Sequence, residues 1–194
     1  MKYKIIYADP PWSFKVWNKP KEGMSKSETS RLASRYYSTM KIEDIKNLPI
    51  LNIADKNCVL FLWCTPPLMK EAMGTMQSWG FKYKTWGFVW IKMCRDGVTP
   101  RRNLGYWSRS NAEVCLIGVR GKTIPRVSKS ISQIVITPQL KHSQKPFEIA
   151  NRIVQLLGDL PRIELFARDK KEGWDATGLD LDGKDIREFL LENG

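Results

Sequence analysis

The residues with the clearest chemical potential lie close to the start of the chain. They are Asp9-Pro10-Pro11-Trp12, reached by the run Tyr3-Lys4-Ile5-Ile6-Tyr7-Ala8. That run alternates and is rich in β-branched and aromatic residues, so it predicts a short buried strand. Two prolines then stop it. Neither has an N–H, and Pro10 pushes Asp9 into an extended conformation. The result is a rigid corner with acceptors and almost no donors: the Asp9 carboxylate and the carbonyls of Asp9 and Pro10. A flat indole, Trp12, follows at once.

Such a corner suits an amino group on a planar base. The exocyclic amine of adenine is a poor nucleophile because its lone pair is delocalised into the ring. Hydrogen bonds from its two N–H groups to Asp9 and to a proline carbonyl return electron density to the nitrogen. Trp12, stacked on the ring, would hold the amine in line with an electrophile. The plainer alternative is a strand-ending turn with a solvent-facing tryptophan.

Further stretches repay reading with this corner. They are Tyr37-Ser38-Thr39-Met40, Leu60-Phe61-Leu62-Trp63, Cys115-Leu116-Ile117-Gly118-Val119-Arg120-Gly121, His142-Ser143-Gln144-Lys145-Pro146 and Ile163-Glu164-Leu165-Phe166-Ala167-Arg168. Together with Tyr7-Ala8-Asp9-Pro10-Pro11-Trp12 the set resembles the amino-group methyltransferases of nucleic acids. More narrowly, it resembles the family of the messenger-RNA adenine-N6 methyltransferase catalytic subunit and its small bacterial and phage relatives. The motifs occur in that family's order and cover most of the chain.

The 194 residues carry 32 Lys and Arg against 20 Asp and Glu, a formal charge of +12. A phosphate-bearing partner is the first explanation, against a merely solvated basic surface. Eight tryptophans favour nucleic acid, because aromatic plates among basic residues suit unstacked bases. The length suggests one domain spanning residues 1–194. The start reads as a strand rather than a leader, and no apolar run is long enough to cross a bilayer. Cys58, Cys64, Cys94 and Cys115 are scattered in apolar runs and read as reduced thiols of a cytoplasmic protein. With one histidine and no paired-cysteine spacing, a zinc site is not expected.

Strands are expected at 58–64, 85–92, 112–119, 131–137 and 162–167 besides the first, with helices near 41–48, after Thr65, after Pro146 and near 184–191. Thr65 is expected to cap its helix, with Met69, Met73 and Met76 on its core face. Phe147, Ile149, Ala150, Ile153, Val154, Leu156 and Leu157 are expected to be the buried face of the next, which Gly158 ends. Strands alternating with helices predict an α/β fold, a mostly parallel sheet covered on both faces, with ligands beyond the carboxyl ends of the strands. Two basic, aromatic-rich segments should face nucleic acid. One is a loop at about 13–37 with Lys15, Arg31, Arg35 and Tyr37, read as a lid. The other, at about 95–110, carries Arg101, Arg102 and Arg109. A smaller basic turn holds Arg120, Lys122, Arg126 and Lys129.

The resemblance implies a Rossmann-like S-adenosylmethionine-dependent fold, with the catalytic motif preceding the cofactor motif. It places Asp9, Pro10, Pro11 and Trp12 in catalysis, and Lys145 and Arg168 on the family's cofactor positions. By residue type, Lys145 can meet the cofactor carboxylate and Arg168 the ribose hydroxyls. Leu165 and Phe166 can border the purine, and Asp180 can accept from a hydroxyl or the ammonium; Asp9 is counted with both groups. The substrate base would be flipped between Trp12 and Tyr37. Two departures stand out: Leu179 replaces an expected asparagine and Asp180 a glutamine, and no Gly-x-Gly occurs. With two residues before the first strand, the chain is expected to lack an upstream segment that touches cofactor in longer relatives. Asp180-Leu181-Asp182-Gly183 mimics part of a calcium loop but fails its ligand spacing. The expectation is adenine-N6 methylation of nucleic acid, DNA before RNA, with cytosine-N4 methylation or a non-catalytic partner subunit as alternatives. A homodimer, or a heterodimer with a related subunit, is the expected assembly.

Overall fold

Seven consecutive residues, Cys58–Cys64, are buried, as an uninterrupted apolar run requires of a strand covered on both faces. They end β2 (Ala54–Cys64), the middle of a seven-stranded sheet. The computed structural model describes residues 2–13, 39–103, 105, 107–139 and 144–194. The other strands are β1 (Tyr3–Ala8), β3 (Lys82–Met93), β4 (Ala112–Arg120), β5 (Ile134–Pro138), β6 (Arg162–Leu165) and β7 (Asp175–Thr177). Their order is β5-β3-β4-β2-β1-β6-β7. β1 lies parallel to both β2 and β6, β6 to β7, and β3 to β5. β4 alone runs against its neighbours β2 and β3. Among the described residues no helix lies between β3 and β4, and the two strands pair antiparallel, without a crossover.

Two cores sandwich the sheet. Strand alternation sends Ile6, Ala8, Leu60, Leu62 and Leu165 to one face. That face is covered by α1 (Ile42–Lys46), α2 (Met69–Ser78) and α5 (Ile186–Glu192), through residues such as Ile45, Ala72, Met76 and Leu190. Ile5, Tyr7, Val59, Phe61 and Trp63 take the opposite face. There α3 (Glu148–Leu157) lays down Ile149, Ala150, Ile153 and Leu157. Gly158, at φ 86°, ends α3 as expected. A four-residue α4 (Leu179–Asp182) follows β7. Neither of these last two short elements is legible in the sequence.

Several expectations need correction. Thr65 makes no side-chain cap: Pro66 and Pro67 lack the N–H groups a cap would serve, and the chain enters α2 through a 3-10 turn, Pro66–Leu68. Of the methionines, Met76 is buried and Met69 packs against the core, but Met73 is exposed. Phe147 precedes the first residue of α3 and is 53% exposed rather than buried. The four cysteines are free, and burial pushes the thiols of Cys58 and Cys64 up to about 12. Among the described residues no helix is long and apolar enough to cross a membrane.

Leu60 is fully buried at the centre of the sheet. Leu60→Ala should lower unfolding free energy by about 2–5 kcal/mol in urea titration, with an unchanged denaturant slope.

Candidate active site

Alternation on neighbouring strands aims a set of polar groups at one place. Asp9 follows Tyr7 by two residues, so it shares the α3 face. Glu113 precedes Cys115 by two, and Lys92 follows Trp90 by two, so they share it as well. Because β4 is antiparallel, its amino end lies at the carboxyl ends of β1, β2 and β3. The segment before α3 then brings Lys145 among them.

The Lys145 ammonium lies 2.6 Å from Asp9 Oδ2 and 3.3 Å from Glu113 Oε2. Glu113 also accepts from Lys92. Charges therefore alternate along a buried chain: Lys92, Glu113, Lys145, Asp9. Burial raises the proton affinity of Glu113, but the ammonium groups of Lys145 and Lys92 outweigh it and hold the carboxyl below its usual range. Asp9 is different. Burial raises it, Lys145 pulls it back, Glu113 raises it again, and the balance lies above the usual carboxylate range. Lys145 is held protonated, above its ordinary range: burial opposes its charge, and Asp9 and Glu113 more than offset that. Its ammonium also stands 5.5 Å from the centre of the Trp63 ring. Sequence reasoning missed Glu113 and Lys92, although each interrupts an apolar strand with a charge of opposite sign.

The Asp-Pro-Pro corner is more constrained than expected. The Pro10 carbonyl accepts from Trp12 N–H at 2.8 Å and the Pro11 carbonyl from Met40 N–H at 2.9 Å. One lone pair on Pro10 thus remains for a substrate. Trp12 is 5% exposed, packs in the α1/α2 core, and donates its indole N–H to the Trp63 carbonyl at 2.9 Å. It is neither a solvent-facing turn residue nor an open stacking plate; burial of its ring makes it the anchor of the corner. The Trp63 indole N–H in turn donates to Tyr7 Oη at 2.7 Å.

An open cleft of ≈ 370 Å³, open solvent included, adjoins this corner. Asp9, Gln144, Lys145, Phe147, Phe166 and Arg168 line it, with Glu164, Asp169 and Lys171. Gln144 donates to Asp169 at 3.0 Å, and Lys171 pairs with Glu164. Arg168 Nε stands 3.5 Å from Oδ2 of Asp180, which does not itself line the cleft. Nor does Leu165: it is fully buried in the core on the other face. Phe166 has φ 61°, in the left-handed region a phenylalanine rarely adopts. Gly178 lies so close behind it that a Cβ there would stand 2.3 Å from the Ala167 carbonyl oxygen. Asp182, from the calcium-like stretch, accepts instead from the N–H groups of Gly178 and Lys184.

Arg101, Arg102 and Arg109 lie on the segment joining the carboxyl end of β3 to the amino end of β4, at the same pole as the cleft. Trp107 stands there fully exposed. Lys15, Arg31, Arg35 and Tyr37 lie outside the described residues, as does His142.

A mostly parallel sheet, an Asp-Pro-Pro-Trp corner at the end of its first strand, and a cleft beyond the carboxyl ends match what the resemblance to methyltransferases implies. The chain belongs to the MT-A70 family, whose profile matches residues 3–180. It is 34% identical to the type II methyltransferase M.MunI of a Mycoplasma species, over 93% of this chain and 78% of that protein. It is 25% identical to an N(6)-adenosine-methyltransferase MT-A70-like protein of Arabidopsis thaliana, and 27% to the human N(6)-adenosine-methyltransferase catalytic subunit METTL3. Those two are much longer: the chain spans 24% and 29% of them.

Gly178→Ala should force Phe166 and Ala167 away from the cleft. It is expected to lower unfolding free energy by about 1–3 kcal/mol in urea titration.

Proposed function

We propose that this chain transfers a methyl group from S-adenosylmethionine to the N6 amine of adenine in nucleic acid, with DNA as the favoured polymer. One observation carries the reading: Asp9, Lys145, Phe166 and Arg168, far apart in sequence, line one open cleft. The donor set fits the cofactor. Lys145 and Arg168 offer cationic donors for a carboxylate and for ribose hydroxyls, Gln144 a neutral donor, and Phe166 an apolar wall. The Leu165 side chain, buried in the opposite core, adds nothing to that wall. The cofactor, when bound, supplies an electrophilic methyl group on a sulfonium.

The chain's own residues do the rest. Asp9 accepts one N–H of the amine, and the free lone pair of the Pro10 carbonyl accepts the other. Both bonds raise electron density on the attacking nitrogen. Lys145 orients the Asp9 carboxylate, and Trp12 fixes the corner against β2. Methylation leaves a cationic nitrogen, whose proton passes to Asp9 or to water. Arg101, Arg102 and Arg109 grip the backbone at the same pole, and the target base leaves the stack to reach the cleft. The type II methyltransferase relative supports DNA. The relatives named N(6)-adenosine-methyltransferases favour RNA as the second reading. A non-catalytic subunit needs neither the intact Asp9 corner nor Lys145.

Labelled S-adenosylmethionine with DNA and RNA oligonucleotides, followed by nucleoside mass spectrometry, tests this directly. N6-methyladenine should appear in DNA, and Asp9→Ala should reduce it by about 10²–10³-fold or more. The absence of both product on either polymer and cofactor binding would sink the catalytic reading.

The pH dependence follows from the Asp9 environment. Asp9 must be ionised to accept, and its pKa is raised, so kcat/KM should fall as pH drops, with a midpoint above the ordinary 3.8. Glu113→Gln removes a negative charge that raises Asp9, so the acid limb should move to lower pH. An unmoved limb would mean that another group sets it.

A further inference from the structure

Trp12 is locked in the core, yet another indole stands open beside the same cleft. Of the described tryptophans, Trp12, Trp63, Trp79, Trp90 and Trp174 are buried and Trp86 is half-buried. Trp107 is 102% exposed. Tryptophan carries a large apolar surface and is mostly buried in folded chains, so a wholly solvated one is unusual for its type.

The segment that carries it is braced at its root and at its neck. Lys92, at one end of the buried charge chain, bonds through its backbone to both limbs. Its N–H donates to the Asn111 carbonyl, and its carbonyl accepts from Arg101 N–H, each at 2.8 Å. Further out, Ser110 N–H donates to the Asn103 carbonyl at 3.1 Å, and Arg101 Nε donates to Asn103 Oδ1 at 3.1 Å. Near the tip a Cβ on Gly105 would stand 2.1 Å from the Ser108 carbonyl oxygen, so the chain doubles back there too tightly for a side chain. Trp107 lies in that turn, its backbone within ~11 Å of Ser110. From Gly97 to Ala112 the sequence holds no acid, while Arg101, Arg102 and Arg109 flank the indole.

This arm is rooted close to the reacting corner. Ion pairs through Glu113 and Lys145 link Lys92 to Asp9. β3 and β1 are three strand spacings apart in the sheet, roughly 14 Å. That span is about four base steps at ~3.4 Å each. A base that leaves a duplex to reach Asp9 opens a gap between its former neighbours, and the lost stacking opposes the flip. An apolar side chain inserted into the stack offsets that loss. Trp12, buried, and Phe166, a wall of the cleft, are both held where they are. Trp107 is free to enter a stack, and three arginines without a neighbouring acid suit a polyanion.

We infer that Trp107 is a wedge: it enters the base stack at or beside the place that the target adenine vacates, while Arg101, Arg102 and Arg109 hold the flanking phosphates. The inference rests on the base-flipping reading of the cleft. It assigns Trp107 to opening the duplex and leaves methyl transfer to the Asp9 corner.

The test compares wild type, Trp107→Ala and Trp107→Phe on three substrates. These are a duplex that the wild type methylates, its methylated strand alone, and the same duplex with 2-aminopurine in place of the target adenine. Trp107→Ala should lower kcat/KM on the duplex by about tenfold or more. On the single strand, which has no pair to open, its loss should stay under about twofold. Trp107→Phe should recover most of the duplex rate. The wild type should brighten 2-aminopurine fluorescence as the base leaves the stack, and Trp107→Ala should not, even at saturating protein. Equal losses on duplex and single strand would overturn the wedge and leave a general stacking contact. Unchanged duplex rates in Trp107→Ala would overturn it as well. So would a wild-type dimer that Trp107→Ala splits in sedimentation without dimming the 2-aminopurine signal, which would assign the indole to a protein contact. A wild type that methylates the single strand alone, or neither form, also overturns the wedge; only when cofactor binding is absent too does the catalytic reading fall with it.

Discussion

The ammonium of Lys145 is the contact on which the site depends. A buried charge left without a partner costs several kcal/mol, so the chain must keep its counter-ions in place. Here they come from different strands: Asp9 beyond β1 and Glu113 at the start of β4. One side chain thereby ties the entry to α3 to two strands that are not adjacent in the sheet. The position within the alternating chain also divides the labour between the two acids. Glu113 lies between two cations and is held ionised. Asp9 ends the chain at the cleft, with one close cation and a nearby negative charge, and its carboxyl is raised. Environment alone makes the first acid a support and the second the responsive group.

The proline corner has a matching constraint. Two prolines in succession supply carbonyls but no donors, and buried carbonyls need partners. The backbone N–H groups of Trp12 and Met40 supply two, and the Trp12 indole ties the corner to β2. Trp63 completes the path by donating to Tyr7, two residues before Asp9. The aromatic residue of the motif therefore acts from inside the core. It fixes where the acceptors point instead of contacting a base through an open face.

Much of this was legible in the sequence, for identifiable reasons. β1, β2 and α3 each carry a strong signal: β-branched alternation, a continuous apolar run, or a 3.6-residue stripe closed by glycine. The Asp9 corner was legible because two prolines and a tryptophan end a strand; Lys145 and Arg168 stood out chiefly through the family resemblance, since a lone basic residue at an element end says little by itself. What escaped depended on register. Nothing local tells that β4 runs backwards, and only that reversal brings Glu113 to the cleft pole. Trp12 looked available because periodicity says nothing about which face of a turn is covered. Leu165 looked like a cofactor contact because it neighbours Phe166, yet strand alternation turns it into the opposite core.

That last contrast explains the strained residue. β6 has to deliver Leu165 to the core and then, within three residues, place Phe166 and Arg168 in the cleft. A regular extended strand would send 165 and 167 to one face and 166 and 168 to the other while continuing straight past the opening. A left-handed Phe166 breaks the strand there and redirects the chain, at a cost of order 1–3 kcal/mol. The surrounding backbone holds it in place. Ala167 N–H donates to the Thr177 carbonyl at 2.9 Å, and Gly178 leaves room for the close approach that any Cβ would prevent. Asp180, two residues on, then reaches Arg168. Strain, close packing and the ion pair are thus one device: the loop after β7 holds the end of β6 in the shape that opens the cleft.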